Sequence, residues 1–368
     1  MNLELAIVGL PQSGKTTVFN ALTRASAAVG GFSSAGDEPN LATVKVPDSR
    51  IHSLSEIFKP KRQVFADIRY LDVAGVAKGL GKQGLGGRLL GYLQETSALI
   101  LVVRAFTDAN VPHPEERVDP LRDLETLLLE LTFSDLSIIE RRLARLDDMI
   151  LKLRGAEREA NERERETLIR CREALENDVP LREIELNDLE DRQLRGYGFL
   201  TRKPALVLFN LGDDQLGDPG AQLVAEARAR FQRPGLGIDA LAAKIEMEIG
   251  QLDAEDAGLF MADLGIQESS LDRVIRLSYD LLGLITFLTG GPEEVRAWPL
   301  RGGTTAVNAA GEIHTDIQRG FIRAEIVAYD DLIEKGSMAE CRKAGLLRVE
   351  GREYVMVDGD VTHFLFNV

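Results

Sequence analysis

The stretch from Gly9 to Thr17 constrains the fold more than any other part of the chain. It reads GLPQSGKTT and matches G-x-x-x-x-G-K-[ST], the phosphate-binding loop of P-loop NTPases. The apolar run 3–8 before it is typical of a buried strand, and the segment from Val18 onward continues as a helix. Strand, loop and helix stand in the order that the motif requires. The sequence therefore predicts an α/β core that binds a nucleotide.

The residues of this loop have expected roles at a bound nucleotide. Backbone amides and the positive end of the following helix can surround the β-phosphate. Lys15 is expected to neutralise β- and γ-phosphate oxygens, and the Thr16 hydroxyl is expected to bind Mg²⁺. The predicted nucleotide contacts in the loop are Gly9, Pro11, Gln12, Ser13, Gly14, Lys15, Thr16 and Thr17.

A second motif follows a strand predicted at 64–70. Asp72-Val73-Ala74-Gly75 matches D-x-x-G, in which P-loop GTPases hold Mg²⁺ through the Asp and sense the γ-phosphate with the Gly amide. Alone, this pattern usually marks a plain turn, but its place one strand after the P-loop favours function. We predict that Asp72 binds the metal and that Gly75 contacts the nucleotide. The glycine-rich segment 78–91 is expected to act as a switch.

A third motif is predicted to bind the base. The strand 204–209 ends in Asn210-Leu211-Gly212-Asp213, where P-loop GTPases carry N-K-x-D and use the Asp to accept two N–H donors of guanine. Asn and Asp match, whereas Leu211 replaces the Lys. Ala242-Ala243-Lys244 is similar to the short loop whose backbone amide contacts the base. We predict base contacts from Asn210, Leu211, Asp213 and the Ala243 amide.

A helical hairpin is predicted after the buried strand 98–103, between the second and the third motif. Apolar residues from Leu136 to Leu153 recur at spacings of 3 and 4, and Gly155 interrupts the pattern before a second charged helix. An antiparallel hairpin packed on the core is one interpretation. The other is an arm that docks on a partner, with arginines available for phosphates of RNA: Arg141, Arg142, Arg145, Arg158, Arg163 and Arg165.

Composition limits the partners and the location. The formal net charge of −15 over 368 residues argues against non-specific binding to bare nucleic acid, although a local basic face could dock on RNA. Cys171 and Cys341 form no metal or disulfide pattern. No apolar run is long enough to span a membrane, and the first residues lack a signal-peptide layout. We expect a cytoplasmic protein with no membrane partner, and a monomer, because the hairpin seam can be filled within one chain.

Taken together, the motifs resemble those of the YchF family, Obg-related translation-factor ATPases that are also called Ola proteins. The resemblance covers essentially the whole chain and is most specific in 294–298, 310–316 and 319–324, which are similar to the family's TGS domain. It implies an α/β P-loop NTPase core of the Obg-related type, with an inserted antiparallel α-helical hairpin and a C-terminal α+β, β-grasp-like TGS domain. The expected boundaries are 1–133 and 199–282 for the NTPase domain, 134–198 for the hairpin and 283–368 for the TGS domain.

The resemblance also implies a function. Members of this family associate with the ribosome, so we expect this chain to bind the large subunit or the whole ribosome and to hydrolyse ATP slowly with Mg²⁺, as a translation-related nucleotide switch. Asp213 leaves a guanine-specific GTPase open, because the family usually has Glu there. Gly36 replaces a metal-binding Thr, and Val76 cannot orient a water. A nucleotide-gated binding module with negligible hydrolysis is therefore a second alternative.

The resemblance points to a catalytic histidine in the loop after the third strand, which here is His113. A loop imidazole near neutral pH could position the attacking water or act as a base. The competing interpretation is a solvent-exposed loop histidine without a role in the reaction. The predicted catalytic residues are Lys15 and His113.

Overall fold

The computed structural model describes residues 3–24, 39–73, 87–264, 266 and 269–367. The chain divides into two compact units, Met1–Thr43 with Arg69–Val274 and Val44–Ile68 with Ile275–Val368. Gly36, Gly75, Val76 and most of the predicted switch segment 78–91 lie outside the described residues.

The described part of the chain contains twelve strands together with fourteen helices. The strands are β1 (Glu4–Val8), β2 (Asn40–Lys45), β3 (Arg62–Val64), β4 (Asp67–Asp72), β5 (Ala98–Arg104), β6 (Ala205–Asn210), β7 (Leu236–Leu241), β8 (Leu284–Gly290), β9 (Glu294–Arg301), β10 (Phe321–Ala328), β11 (Arg348–Glu350) and β12 (Asp360–Phe366). The helices are α1 (Lys15–Thr23), α2 (Ser49–Phe58), α3 (Gly87–Glu95), α4 (Pro120–Ile150), α5 (Gly155–Glu176), α6 (Asp188–Arg195), α7 (Asp218–Phe231), α8 (Ala243–Ile249), α9 (Ala254–Asp263), α10 (Ser270–Leu281), α11 (Ala306–Ile313), α12 (Thr315–Arg319), α13 (Tyr329–Lys335) and α14 (Met338–Lys343). Single 3₁₀ turns occur at Leu181–Glu183 and Asp213–Gln215.

The first unit is built on a six-stranded sheet in the order β2-β4-β1-β5-β6-β7. Strand β1 pairs in parallel with β4 and β5, and the parallel pairing continues through β6 to β7. Every residue of β5 and β6 is buried, as expected for parallel strands with both faces covered. The carboxyl ends of these strands share one edge, which is where ligands bind in open α/β sheets.

The helical hairpin belongs to the first unit. Helix α4 is capped by Asp119, whose side chain accepts a hydrogen bond from the Arg122 amide, and Pro120 occupies its first turn. Its seam residues pack in one buried cluster with those of α5: Ile139, Leu143, Leu146, Leu168 and Cys171. Helix α4 runs unbroken from 120 to 150, so the boundary predicted at 134 falls inside one helix.

A buried carboxylate fixes the base of the hairpin. Asp135 of α4 is fully buried and accepts hydrogen bonds from the Leu200 amide at 2.9 Å, the Thr201 amide at 2.8 Å and the Thr201 hydroxyl at 2.6 Å. Burial raises the pKa of Asp135 to about 6, against the opposing effect of these hydrogen bonds. The hairpin is thereby tied to the segment that leads into β6.

The second unit contains a six-stranded sheet in the order β11-β10-β12-β8-β9-β3. Residues 44–68, which were predicted from the sequence to lie in the range of the NTPase domain, belong to this compact unit. Strand β3 pairs in parallel with β9, where Arg62 stands opposite Glu294. Phe58 of α2 covers Gly290 so closely that a Cβ there would lie 2.3 Å from the ring. These contacts join residues far apart in sequence, which chain order alone could not indicate.

None of the helices in the described ranges is both long enough and apolar enough to cross a membrane.

We expect replacement of Asp135 by Ala to lower the free energy of unfolding by about 2–4 kcal/mol, because two buried backbone N–H groups lose their acceptor. Urea denaturation of the full chain measures this change. Asp148→Ala, at an exposed position of the same helix, is the matched control and should change the free energy of unfolding by less than about 0.5 kcal/mol. Equal losses in the two variants would contradict the anchoring role.

Candidate nucleotide-binding site

The phosphate-binding loop connects β1 to α1 and depends on backbone conformations that few residues adopt. Gln12 has a φ of 61° and Gly14 a φ of 88°, both in the left-handed region. Gly9 lies so close to β5 that a Cβ would stand 2.3 Å from the Val102 carbonyl oxygen. Two of the motif glycines are therefore required by geometry, one for its φ and the other for its close approach to the neighbouring strand.

Lys15 is buried at the start of α1, with 8% of its surface exposed. Its ammonium donates a hydrogen bond to the Leu10 carbonyl at 3.0 Å. Burial lowers the pKa of Lys15 to about 8, although the nearby charge of Asp72 acts in the opposite direction. The loop thus holds a lysine whose charge is poorly compensated until an anion arrives.

Thr16 and Asp72 meet across the loop, as expected for two groups that share a metal. The Thr16 hydroxyl donates to the Asp72 carboxylate at 2.9 Å. Burial raises the pKa of Asp72, opposed by hydrogen bonds from Thr16 and Asn40 and by the charge of Lys15. A hydroxyl and a carboxylate are hard oxygen ligands of the kind that Mg²⁺ prefers, so this pair fits the ion.

The side chain of Asn210, at the end of β6, connects two loops of the site. Its side-chain amide nitrogen donates to the Ser13 carbonyl at 3.1 Å, and its amide oxygen accepts from the Ala243 backbone N–H at 3.3 Å. The side chain is 4% exposed. The structure therefore places Asn210 and Ala243 beside the P-loop, but the Ala243 amide, which was predicted to contact the base, is engaged by Asn210 in this arrangement.

The side chains of Leu211 and Asp213 lie in different environments. Leu211 is 8% exposed and belongs to the buried cluster that contains Val224 and Ala227 of α7. Asp213 is exposed at the start of the 3₁₀ turn, where the Gln215 side chain accepts a hydrogen bond from the Gly212 amide at 2.8 Å. Of the two, only Asp213 presents a polar group to a ligand.

Phe106 is a residue of this region that no sequence motif indicated. Its ring lies beside the P-loop, where a Cβ on Gly14 would stand 3.6 Å from Phe106 Cε1. A Cβ on Gly212 would stand 3.5 Å from Phe106 Cβ. The Arg104 guanidinium covers the ring at 4.5 Å. An aromatic residue two positions after a buried strand was the one available signal, and it is too common to be specific.

His113 is held in a buried pair with Asp123 of α4. Its Nε2 lies 2.8 Å from Asp123 Oδ2, and its Nδ1 accepts the Glu115 backbone N–H at 3.1 Å. The side chains of His113 and Asp123 are 5% and 4% exposed. The interpretation of His113 as a solvent-exposed loop residue is therefore wrong. Both ring nitrogens are occupied, so neither can orient a water in this arrangement.

A small cavity connects this pair to the P-loop. Ser13 Oγ is buried at the cavity and has no hydrogen-bond partner among the described residues. The cavity is lined by Leu10, Pro11, Ser13, Val102, Val103, Arg104, His113, Asp123 and Leu127. Tertiary structure thus brings the predicted catalytic histidine next to the phosphate-binding loop, about a hundred residues away in sequence.

The parallel sheet, the P-loop geometry and the Thr16–Asp72 pair define a P-loop nucleotide-binding protein. Residues 4–139 match the family model MMR_HSR1, described as "50S ribosome-binding GTPase", and residues 284–367 match YchF-GTPase_C, described as "Protein of unknown function (DUF933)". The chain belongs to the YchF family, which confirms the resemblance seen in the sequence and the predicted fold class of an α/β P-loop core with a C-terminal domain.

Full-length relatives support this assignment. "Ribosome-binding ATPase YchF" of Bacillus subtilis (strain 168) is 42% identical over 100% of both chains, and the protein of the same name from Escherichia coli O157:H7 is 39% identical over 100% of both. The solved structure of the Schizosaccharomyces pombe YchF GTPase superposes with a TM-score of 0.84 at 32% identity, covering 99% of this chain and 98% of that one.

Nucleotide affinity should fall as pH rises through about 8. Lys15 loses its proton near that pH in the free protein, whereas bound phosphates require the charged ammonium. Linkage then predicts that the Kd for a non-hydrolysable ATP analogue rises about fivefold between pH 8 and pH 9 and stays nearly constant below pH 7. Isothermal titration calorimetry across this range measures the change.

Lys203 provides the matched control for this titration. Burial also lowers its pKa to about 8, but its ammonium donates to the Gln94 and Thr96 carbonyl oxygens, away from the P-loop motif. Lys203→Met should keep the pH dependence of wild type. A flat profile in wild type, or one that flattens in Lys203→Met, would show that Lys15 is not the group responsible.

Proposed function

We propose that this chain is a Mg²⁺-dependent nucleoside triphosphatase that hydrolyses ATP slowly and acts as a nucleotide switch on the ribosome. The observation that carries the proposal is the buried Lys15 beside the Thr16–Asp72 pair, at the edge of the sheet formed by the carboxyl ends of the strands. A buried lysine, a pair of oxygen groups that suits Mg²⁺ and a phosphate-binding loop in one place support this chemistry.

The residues of the loop would share the charge of the triphosphate. The loop amides would hold the β-phosphate, and the Lys15 ammonium would stabilise charge that develops on the β- and γ-phosphate oxygens. Thr16 would bind the Mg²⁺ ion directly and Asp72 through water; the ion would neutralise phosphate oxygens. Gly75, outside the described residues, remains the predicted contact to the γ-phosphate.

The hydrogen bonds of the His113 ring support slow intrinsic turnover. Because Asp123 and the Glu115 amide occupy both ring nitrogens, a water can be oriented only after a rearrangement of this loop. Val76, the residue after D-x-x-G, cannot supply the missing water-positioning group. A requirement for rearrangement before each turnover would keep activity low in the absence of a partner.

ATP is the proposed substrate, and GTP is the alternative. The bacterial relatives are named ATPases. Leu211 is packed in the core and cannot place a cationic side chain along the base as the Lys of N-K-x-D does. The exposed Asp213 favours guanine instead, because a carboxylate can accept both N–H donors of that base. Competition between the two nucleotides distinguishes these substrates.

The proposed partner is the ribosome, as the large subunit or the whole particle, because the relatives are named for ribosome binding. We also propose that residues 283–368 form a TGS domain and that the protein is a cytoplasmic monomer without a membrane partner. RNA could be contacted through this domain or through the hairpin.

A nucleotide-gated binding module with negligible hydrolysis remains the other candidate function, favoured by Gly36 and Val76.

The hairpin offers fewer free arginines than its sequence indicated. Arg142 pairs with Glu164 at 2.7 Å, and Arg165 pairs with Asp147 at 2.6 Å. Arg158 pairs with Glu162 at 2.8 Å. Within the described residues, half of the six arginines proposed for RNA contacts are thus already paired with carboxylates. We therefore favour the hairpin packed on the core over an RNA-binding arm.

Phosphate release with ATP and with GTP, measured together with equilibrium affinities, tests this function. We expect turnover that prefers ATP and that falls at least about a hundredfold in His113→Ala, with the Kd for ATP changed by less than about twofold. His363→Ala, at an exposed position of β12, should retain wild-type turnover. Preference for GTP would establish the alternative substrate. Tight binding without turnover, even with ribosomes added, would leave a binding module.

A further inference from the structure

The environment of His113 contains a carboxylate to which neither the motifs nor the proposed mechanism gives a role. We propose that Asp123 is a positioning residue for hydrolysis, which holds His113 as the Nε2–H tautomer and so makes Nδ1 the nitrogen that receives the attacking water. This inference rests on the proposed triphosphatase function and on the role of His113 in it.

The hydrogen bonds around the imidazole define its tautomer. The Glu115 backbone N–H can only donate, so Nδ1 must present a lone pair to it. An ionised carboxylate can only accept, so Nε2 must carry the proton that bonds Asp123 Oδ2. Asp123 thus selects the tautomer in the way that a buried carboxylate orients a catalytic histidine in hydrolase triads.

Asp123 is itself fixed, which makes it suitable for this role. Its other oxygen, Oδ1, accepts hydrogen bonds from Arg122 Nε at 3.1 Å and Nη2 at 2.8 Å. Arg122 Nη2 also donates to the Arg117 carbonyl at 2.8 Å, which ties the pair to the preceding turn. Asp123 lies in the first turn of α4, where the helix dipole favours a negative charge. With Oδ1 occupied, Oδ2 is the oxygen left for the imidazole.

The loop around His113 is anchored on one side and strained on the other. Arg104 Nη2 holds the Val111 carbonyl at 2.8 Å, just before His113. Glu116 follows in a left-handed conformation with a φ of 61°, which a glutamate adopts only at a cost. Opening of this short turn would withdraw the Glu115 amide from Nδ1 while the bond to Asp123 keeps the ring in place.

The freed Nδ1 would then serve the reaction beside the P-loop. The water oxygen bonds to the γ-phosphorus as the bond to the β–γ bridging oxygen breaks, and the nucleoside diphosphate leaves with that electron pair. Nδ1 accepts one proton of the water, and the Asp123 carboxylate stabilises the imidazolium that results. Ser13 Oγ, buried on the same cavity without a partner among the described residues, offers a second hydrogen bond to a water there.

The Asp123→Asn variant tests the proposal. Arg122 will keep an acceptor facing it, so the amide nitrogen of Asn turns toward Nε2, where two donors would meet. We expect the ring to move its proton to Nδ1 and to give up the hydrogen bond from the Glu115 amide. Long-range ¹H–¹⁵N spectra report the tautomer of each of the four histidines, with His113 assigned by its absence in His113→Ala. We expect Nε2–H in wild type, Nδ1–H in Asp123→Asn, and a kcat at least about a hundredfold lower with KM changed by less than about twofold.

Asp135→Asn is the matched control, because it removes a second buried carboxylate from the same helix. It should lower the stability of the protein and leave both the tautomer of His113 and kcat as in wild type. An Nδ1–H tautomer in wild type overturns the proposal without any variant. Loss of turnover in His113→Ala combined with wild-type kcat in Asp123→Asn overturns this inference alone, whereas unchanged turnover in His113→Ala removes the proposed role of His113 as well.

Discussion

The amide side chain of Asn210 is the interaction on which the site depends. It bonds to the P-loop through the Ser13 carbonyl and to the start of α8 through the Ala243 amide, so one buried group connects the loops after three strands. An aspartate could not replace it, because a carboxylate has no N–H to donate to Ser13. Gly14 completes the arrangement, since a Cβ there would lie 2.2 Å from the Asn210 amide nitrogen. The close approach of these two residues explains why the P-loop needs a glycine at position 14, opposite Asn210.

The same site contains two buried charged groups, Lys15 and Asp72, whose burial is not fully compensated within the protein. Burial lowers the pKa of Lys15 and raises that of Asp72, so both groups are shifted toward their neutral forms. Their mutual attraction opposes the shifts and does not cancel them. A bound triphosphate with its metal would supply the missing opposite charges to each. The free energy lost by burying these groups would thereby be recovered as binding free energy, which is a common property of preorganised sites.

Helix α4 links the chemistry to the hairpin. Its first turn presents Asp123 to His113, and its middle carries Asp135, which binds the segment before β6. The two carboxylates lie on one rigid element that continues into the hairpin seam at Ile139. A displacement of the hairpin would therefore be transmitted to the loop that carries His113. The same helix stabilises the fold and sets the geometry of the proposed catalytic group, which is why the two carboxylates are useful as test and control.

The sequence by itself determined the class of core, the P-loop and the partnership of Thr16 with Asp72, because these follow from local patterns whose spacing is fixed by strand, loop and helix geometry. It also indicated the hairpin, from apolar residues at helical spacing. Only the tertiary structure decided that 44–68 joins the second unit, that Leu211 faces the core and that His113 is buried against Asp123. Each of these depends on contacts between residues far apart in the chain. Local patterns carry no information about such contacts, since burial is set by which elements pack together and not by the spacing of residues within one of them.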